Sequence, residues 1–210
     1  MYSFKTYIIE MKDPKSKTLH AFDMDETLFA HDHDKLKVHV NDPTGKRVSS
    51  LTNQEYNRYT LPSGHSFDYS DFKSSSVFQK SARPIRKMIG KLKGIHKNNK
   101  NVEILTARSD LDDQPAFAKH MKKFGIDIGQ IHVRRAGNLS IPNTGAAKAE
   151  VVSGLIKKHG YTKIHLYDDH PGNLEHFLKL KEQHPTVQFH AHHIQHDPST
   201  GHVTVTTKVV

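Results

Sequence analysis

The chain has 210 residues, 35% hydrophobic and 25% charged, a balance that suits one core domain with a small insertion. Cysteine is absent, which excludes disulfides and thiolate metal sites. The sequence holds no apolar run of membrane-spanning length and no secretory signal in MYSFKTYIIEMKDPK, so a cytoplasmic protein without a membrane partner is expected. The formal net charge of +9, which the 18 histidines increase as pH falls through about 6.5, favours anionic partners such as phosphate esters or nucleic acid.

In chain order, short β-branched runs alternate with amphipathic helical stretches, the pattern of an α/β fold with a parallel sheet. Residues 18–23 (TLHAFD) read as a buried first strand. A helix is expected from Ser81 as its N-cap, with Pro84 in the first turn and Ile85, Met88, Ile89 and Leu92 on one face. A strand over 102–106 follows. Next comes a helix over 115–124 that buries Phe117, Met121 and Phe124 and stops at Gly125. A strand over 131–134 leads to a helix over 146–159, with Val151, Val152, Leu155 and Ile156 inward and Gly160 as its stop. The strand 163–167 precedes a helix carrying Leu174, Phe177 and Leu178. The tail reads as two strands, 187–194 and 202–209, around a turn at 197–201.

Residues 31–80 break the alternation. They are polar, carry turn signals at 41–45 and 62–64, and are too long for an ordinary connection. Tyr56, Tyr59, Phe67, Tyr69, Phe72 and Phe78 argue for order, because disordered segments are poor in aromatics. The expected organisation is a catalytic core over 1–30 and 81–210, with 31–80 as a cap or flap.

Chemistry-bearing residues recur at strand ends, where open α/β sheets bind ligands. Asp23 and Asp25 follow the first strand, Thr106 and Arg108 close the strand 102–106, Lys148 opens a helix, and Asp168 and Asp169 end the strand 163–167. Each alone has an ordinary reading as a cap, a solvated lysine or carboxylates at a helix start.

The order FDMDETL, ILTAR, a helix-borne lysine and YDD resembles the four motifs of haloacid dehalogenase (HAD) phosphatases, including polynucleotide 3′-phosphatases and small phage proteins of this type. The resemblance implies a three-layer α/β/α sandwich with a parallel, Rossmann-like sheet and a small insertion after the first strand. Asp23 and Thr106 would then stand on neighbouring strands, with Asp168 on the other side of Asp23. It further implies a Mg²⁺-dependent phosphomonoesterase in which Asp23 becomes a phospho-aspartate. Asp25 would move protons with a raised pKa, Thr106 and Lys148 would bind and neutralise the phosphoryl group, and Arg108 would touch substrate phosphate. Asp23, Asp25 through its main-chain carbonyl, and Asp168 would hold the metal, with Asp169 as a further ligand or as support. Lys157, Lys158 and Lys163 rival Lys148 on spacing. Lys148 is preferred because it opens a helix after the polar loop 138–145.

His190 and His192 alternate on a strand and share a face, a spacing open to a transition metal; His31 and His33 follow the first motif. The segment Gly45-Lys46-Arg47 lacks the upstream glycine of a P-loop, so no kinase half is expected. Two other functions are open: a small-metabolite phosphatase, and a nucleic-acid-binding module that keeps the fold without catalysis.

Overall fold

The computed structural model describes residues 17–56, 58–98 and 101–210. The opening segment read for a secretory signal lies outside these residues. Among the described residues no helix is long and apolar enough to cross a membrane.

The sheet holds six strands in the order β11-β10-β9-β1-β7-β8. They are β1 (Thr18–Phe22), β7 (Asn101–Thr106), β8 (His132–Arg135), β9 (Lys163–Asp168), β10 (Gln188–His196) and β11 (Val203–Val209). All neighbours run parallel except β10 and β11, which pair antiparallel at the edge. β1 lies between β7 and β9, with Phe22 level with Ile104 on one side and Tyr167 on the other. The chain therefore leaves these three strands at one end, carrying Asp23, Thr106 and Asp168.

Alternation along β1 feeds two cores. Leu19 and Ala21 pack with Val152, Leu155, Leu174 and Phe177 of α6 (Thr144–His159) and α7 (Pro171–Gln183). Phe22 packs with Met88, Leu92, Phe117 and Met121 of α4 (Arg86–Lys97) and α5 (Gln114–Lys123). Helices thus cover both faces of a mixed, mostly parallel sheet.

The helix boundaries follow local chemistry. Asp113 caps α5 by accepting from Ala116 N, and Asn143 caps α6 by accepting from Ala146 N, each with its side chain. Gly160 ends α6 at φ +65°, a left-handed conformation that glycine adopts without cost.

The helix expected from Ser81 is displaced. Ser81 instead ends α3 (Ser75–Ser81), Ala82–Pro84 form β6, and the next helix begins at Arg86. Tertiary pairing overrides the capping signal: β6 lies antiparallel to β2 (Phe29–His31), matching Phe29 with Pro84 and His31 with Ala82.

Between β2 and β6 the chain builds its own antiparallel sheet in the order β4-β3-β5, from β3 (Val38–Asn41), β4 (Arg47–Leu51) and β5 (Ser66–Asp68). The β3–β4 turn is made by Asp42, whose Oδ1 accepts from Thr44 N and Lys46 N, with Gly45 at φ +84°. Short helices α1 (Asn53–Tyr56) and α2 (Ser70–Lys73) flank this sheet. The described residues of 31–80 are therefore structured, with the Phe67 ring in contact with Tyr56, Tyr59 and Tyr69. The unit is stitched to the loop after β7: Ser75 N donates to Asp112 Oδ1, and Asp112 N donates to Lys73 O.

Candidate active site

The three adjacent strand ends converge on a buried charged cluster. Asp23 follows β1 directly, its N–H donating to Tyr167 O at 2.8 Å, which fixes the chain as it leaves the sheet. Lys148 reaches in from the first turns of α6. Its Nζ lies 2.8 Å from Asp23 Oδ1 and 2.7 Å from Asp168 Oδ2, and all three residues are buried. Of the rival lysines, Lys157 and Lys158 are exposed in the last turn of α6, and Lys163 begins β9 at the opposite end of the strand from Asp168.

Asp168 is held from three sides. Besides Lys148, it accepts from Asn173 Nδ2 at 3.0 Å and from His170 N at 2.9 Å. Carboxylate oxygens of Asp23, Asp168 and Asp169 lie within 4.8 Å of one another. Burial raises the Asp23 pKa well above the usual carboxylate value; Lys148 opposes this, while Asp168 and Asp169 add to it. Burial and the neighbouring Asp168 push Asp169 up to about 7. For Lys148, burial works against the charge, but Asp168 and Asp23 outweigh it and hold the ammonium protonated.

Asp23 and Asp168 thus share Lys148 as their cation, with Asp169 beside them. Their donor atoms are all oxygens at mutual distances that suit a hard divalent ion, and they are the residues that could hold one. The Asp25 side chain is not among them.

Asp25 faces a different set. Arg108 forks onto it, with Nη2 2.8 Å from Oδ1 and Nε 2.9 Å from Oδ2, and His31 Nε2 lies 2.6 Å from Oδ1. Burial works to raise this carboxyl, but the Arg108 charge and the His31 hydrogen bond outweigh it and hold Asp25 far below the usual carboxylate range. The raised pKa expected from neighbouring negative charge is therefore corrected: the groups that act on Asp25 beside burial are Arg108 and His31, and both lower it. The reading of Arg108 as a phosphate contact changes with it. Its side chain is 1% exposed, it also donates through Nη1 to Phe72 O, and it lies over the Phe72 and Phe78 rings. Arg108 joins Asp25 to the inserted unit.

Thr106 ends β7 fully buried, and its Oγ1 accepts from Arg108 N at 3.1 Å, which shapes the turn that aims Arg108 at Asp25.

His190 and His192 do share a face, but their rings stack with His165, Tyr167 and His20. His165 Nδ1 pairs with His192 Nε2, and His192 Nδ1 pairs with Thr207 Oγ1. Both ring nitrogens of His192 are thus engaged with protein groups and not free to ligate, while His190 Nε2 is buried without a hydrogen-bond partner; among the described residues only Asp23, Asp168 and Asp169 group as a candidate metal cluster.

Several supporting residues escape sequence reading. His31 is buried between Asp25 and Ser81 Oγ, and the turn that returns it passes through Glu26 at φ +52°. Asn173, five residues beyond Asp168, supplies the amide that fixes it. Gly137 lies against the loop after Thr106: a Cβ there would stand 2.3 Å from Ala107 O. The repeated His-Asp of 31–34 and the Pro-Gly-Asn of 171–173 were the available signals.

Comparison of the chain with protein-family models, with curated proteins and with solved structures finds no match.

Proposed function

We propose that this chain is a Mg²⁺-dependent phosphomonoesterase of the haloacid dehalogenase type, acting through a phospho-aspartate on Asp23. The observation that carries the reading is the cluster at two neighbouring strand ends: Asp23 and Asp168, buried with Lys148 between them, and the half-buried Asp169 beside them. Burying that much like charge is costly unless it is neutralised. A ligand cation and a reaction that uses the carboxylates would account for it.

Asp23, Asp168 and the Asp25 main-chain carbonyl would hold Mg²⁺, with Asp169 beside them, and the ion would supply charge neutralisation for the phosphoryl group. The protein's own groups do the rest. An Asp23 oxygen forms a bond to phosphorus as the ester P–O bond breaks, and the leaving oxygen departs with a proton. Lys148, kept protonated and 2.8 Å from Asp23, offsets the negative charge on the transferring oxygens. Thr106 offers its hydroxyl hydrogen to the phosphoryl group, because its oxygen already accepts from Arg108 N. In the second half, Asp25 takes a proton from water, which attacks phosphorus, releases inorganic phosphate and restores Asp23. Asp25 is ionised in this arrangement and so is ready for that step. The proton it takes from water there is the one it gives to the leaving oxygen in the next turnover; an incoming phosphate helps Asp25 hold it, and Arg108 and His31 oppose this.

The +9 charge supports nucleotides or nucleic-acid ends as the substrate class. A phosphatase panel tests the reading: an aryl phosphate, sugar phosphates, mononucleotides and 3′- or 5′-phosphorylated oligonucleotides, each with Mg²⁺ and with EDTA. Hydrolysis of at least one ester, lost in EDTA and restored by Mg²⁺, is expected. Equal hydrolysis in EDTA, or none on any member, would refute it. Preference for sugar phosphates would keep the chemistry and move the substrate to small metabolites.

A further inference from the structure

The helices on the two faces of the sheet differ sharply in charge. On one face, α6 and α7 mix acidic and basic residues: Glu150, Glu175 and Glu182 alternate with Lys157, Lys158 and Lys179. On the other face, α4 and α5 carry no carboxylate at all, and the sequence holds no Asp or Glu from Arg83 to Val102 or from Gln114 to Ile126. Arg86, Lys87, Lys91, Lys93 and Lys97 are exposed on α4, and Lys119, Lys122 and Lys123 on α5. None of them has an acidic partner among the described residues. Lys87 donates to Val203 O and Lys91 lies over the Tyr167 ring, while the others project without such an anchor.

The two helices are neighbours, because Met88 and Leu92 share one buried cluster with Phe117 and Met121. A shallow groove runs on the outside between α4 and the turn that follows α5. Arg86, Gly90 and Lys93 face Phe124 along one stretch, and Gly94 and Lys97 face Gly125 along the next, with Asp127 at its end. No atom lies within 4 Å of where a Cβ would stand on Gly90 or Gly94, so the α4 backbone is open between the lysines. From Arg86 to Lys97 the face runs about 16 Å, roughly five phosphates of one duplex strand.

We infer that the α4–α5 face docks the phosphate backbone of a nucleic acid. A row of unpaired, mostly lysine cations over an open groove suits a sequence-independent polyanion. A lipid surface fits less well. The exposed large apolar residues are Val48, Tyr69, Leu139, Val209 and Val210, none of them on α4 or α5, so this face has no apolar side chain to insert between headgroups. A protein partner would look for exposed aromatic anchors, and the aromatic in this groove, Phe124, is half-buried against Phe29 and His120. The Arg86 end of the face lies toward the strand ends that carry Asp23, because β6 precedes Arg86 and pairs with β2, the strand that returns His31 to Asp25; the Lys97 end lies by Ile131, at the start of β8.

The test is binding of a fluorescent 20-nucleotide oligonucleotide, single-stranded and duplex, to the full chain across a NaCl series, read by anisotropy. One variant carries Lys93→Gln, Lys97→Gln, Lys119→Gln and Lys122→Gln. A control removes the same charge elsewhere through Lys157→Gln, Lys158→Gln, Lys179→Gln and Lys208→Gln. All eight side chains are exposed, so both variants fold, as thermal melting will check. The first set is expected to weaken binding at least about tenfold and to flatten the log–log salt slope by about 3, with the control near wild type. Equal weakening by the two sets would reduce the effect to net charge and overturn the docking face, as would wild-type binding by the first set. Binding to phosphatidylserine vesicles but not to oligonucleotides would assign the face to lipid instead. No arm depends on turnover, so the result is independent of the chemistry proposed for Asp23.

Discussion

Arg108 and Asp25 form a two-pronged ion pair, with Nη2 2.8 Å from Oδ1 and Nε 2.9 Å from Oδ2. The pair places a charged latch between the turn after β1 and the inserted unit, because the same guanidinium donates to Phe72 O. Arg108→Lys keeps the charge but loses the fork. It is expected to lower kcat for an aryl phosphate by about tenfold or more while KM changes little, since Asp25 is misaligned but the phosphoryl contacts remain. Arg108→Leu should also destabilise the protein by about 1–3 kcal/mol, because it strips a partly buried carboxylate of its main cation. Steady-state kinetics and denaturant unfolding measure the two effects. Wild-type kcat in Arg108→Lys would remove Arg108 from the chemistry.

Lys148 is the cation that makes the acidic cluster tolerable, so its loss should appear first in stability. Lys148→Met leaves Asp23 and Asp168 facing each other without it, an expected cost of about 3 kcal/mol, or roughly 6–12 °C in Tm for a chain of this size. Millimolar Mg²⁺ should recover part of the loss by binding the same carboxylates. Thermal melting with and without Mg²⁺ reads both effects. No loss of Tm would mean that the carboxylates carry little charge to neutralise.

Gly137 makes a sharper steric case. A methyl group there meets Ala107 O at 2.3 Å and the Arg108 backbone at 2.7 Å, both main-chain atoms that cannot swing aside. Gly137→Ala is expected to cost about 1–3 kcal/mol and to lower turnover by shifting the loop that follows Thr106. A Tm and kcat both equal to wild type would show that the loop adapts freely.

Much of this architecture was legible in the chain. The apolar run 18–22, the inward spacing of Met88, Ile89 and Leu92 and the stop at Gly160 each report one local rule, and the strand, the buried helix face and the helix end follow it. The boundary at Ser81 was not legible, because β6 exists only through its partner β2, fifty-odd residues away in sequence. Asp23, Thr106 and Asp168 stood out because strand-end position can be read from periodicity, and Lys148 because it opens a helix after a polar loop. The charge state of Asp25 could not be read, since it depends on Arg108 and His31, which fold brings together from β7 and β2. The stacking of His20, His165, His190 and His192 is equally a product of strand order, which alternation alone does not specify.

That stack makes stability depend on pH. Burial, with His20, His190 and His192 nearby, holds His165 down to about 3; burial, with Lys91 and His190, holds His192 down to about 4. Both rings are harder to protonate folded than unfolded, where the pKa is about 6.5. Their contribution is complete above about 6.5 and declines as pH falls from there toward 4, where only the unfolded chain takes up the protons. Denaturant unfolding between pH 7.5 and 4.5 should show this decline, and a His165→Phe/His192→Phe variant should lose part of it. An identical pH dependence in the variant would assign the acid sensitivity to other groups.

The most direct measurement of the central claim is aryl phosphate turnover, with Mg²⁺, by wild type and by Asp23→Asn. The amide nearly matches the carboxylate in shape and removes a buried charge beside Asp168 and Asp169, so the variant should fold with a Tm at or above wild type. It cannot form the phospho-aspartate. The expected result is a folded Asp23→Asn with turnover lowered by about a thousandfold or more, together with a phosphoryl adduct on Asp23 in rapidly quenched wild type. A folded Asp23→Asn that keeps wild-type turnover would contradict the proposed mechanism outright.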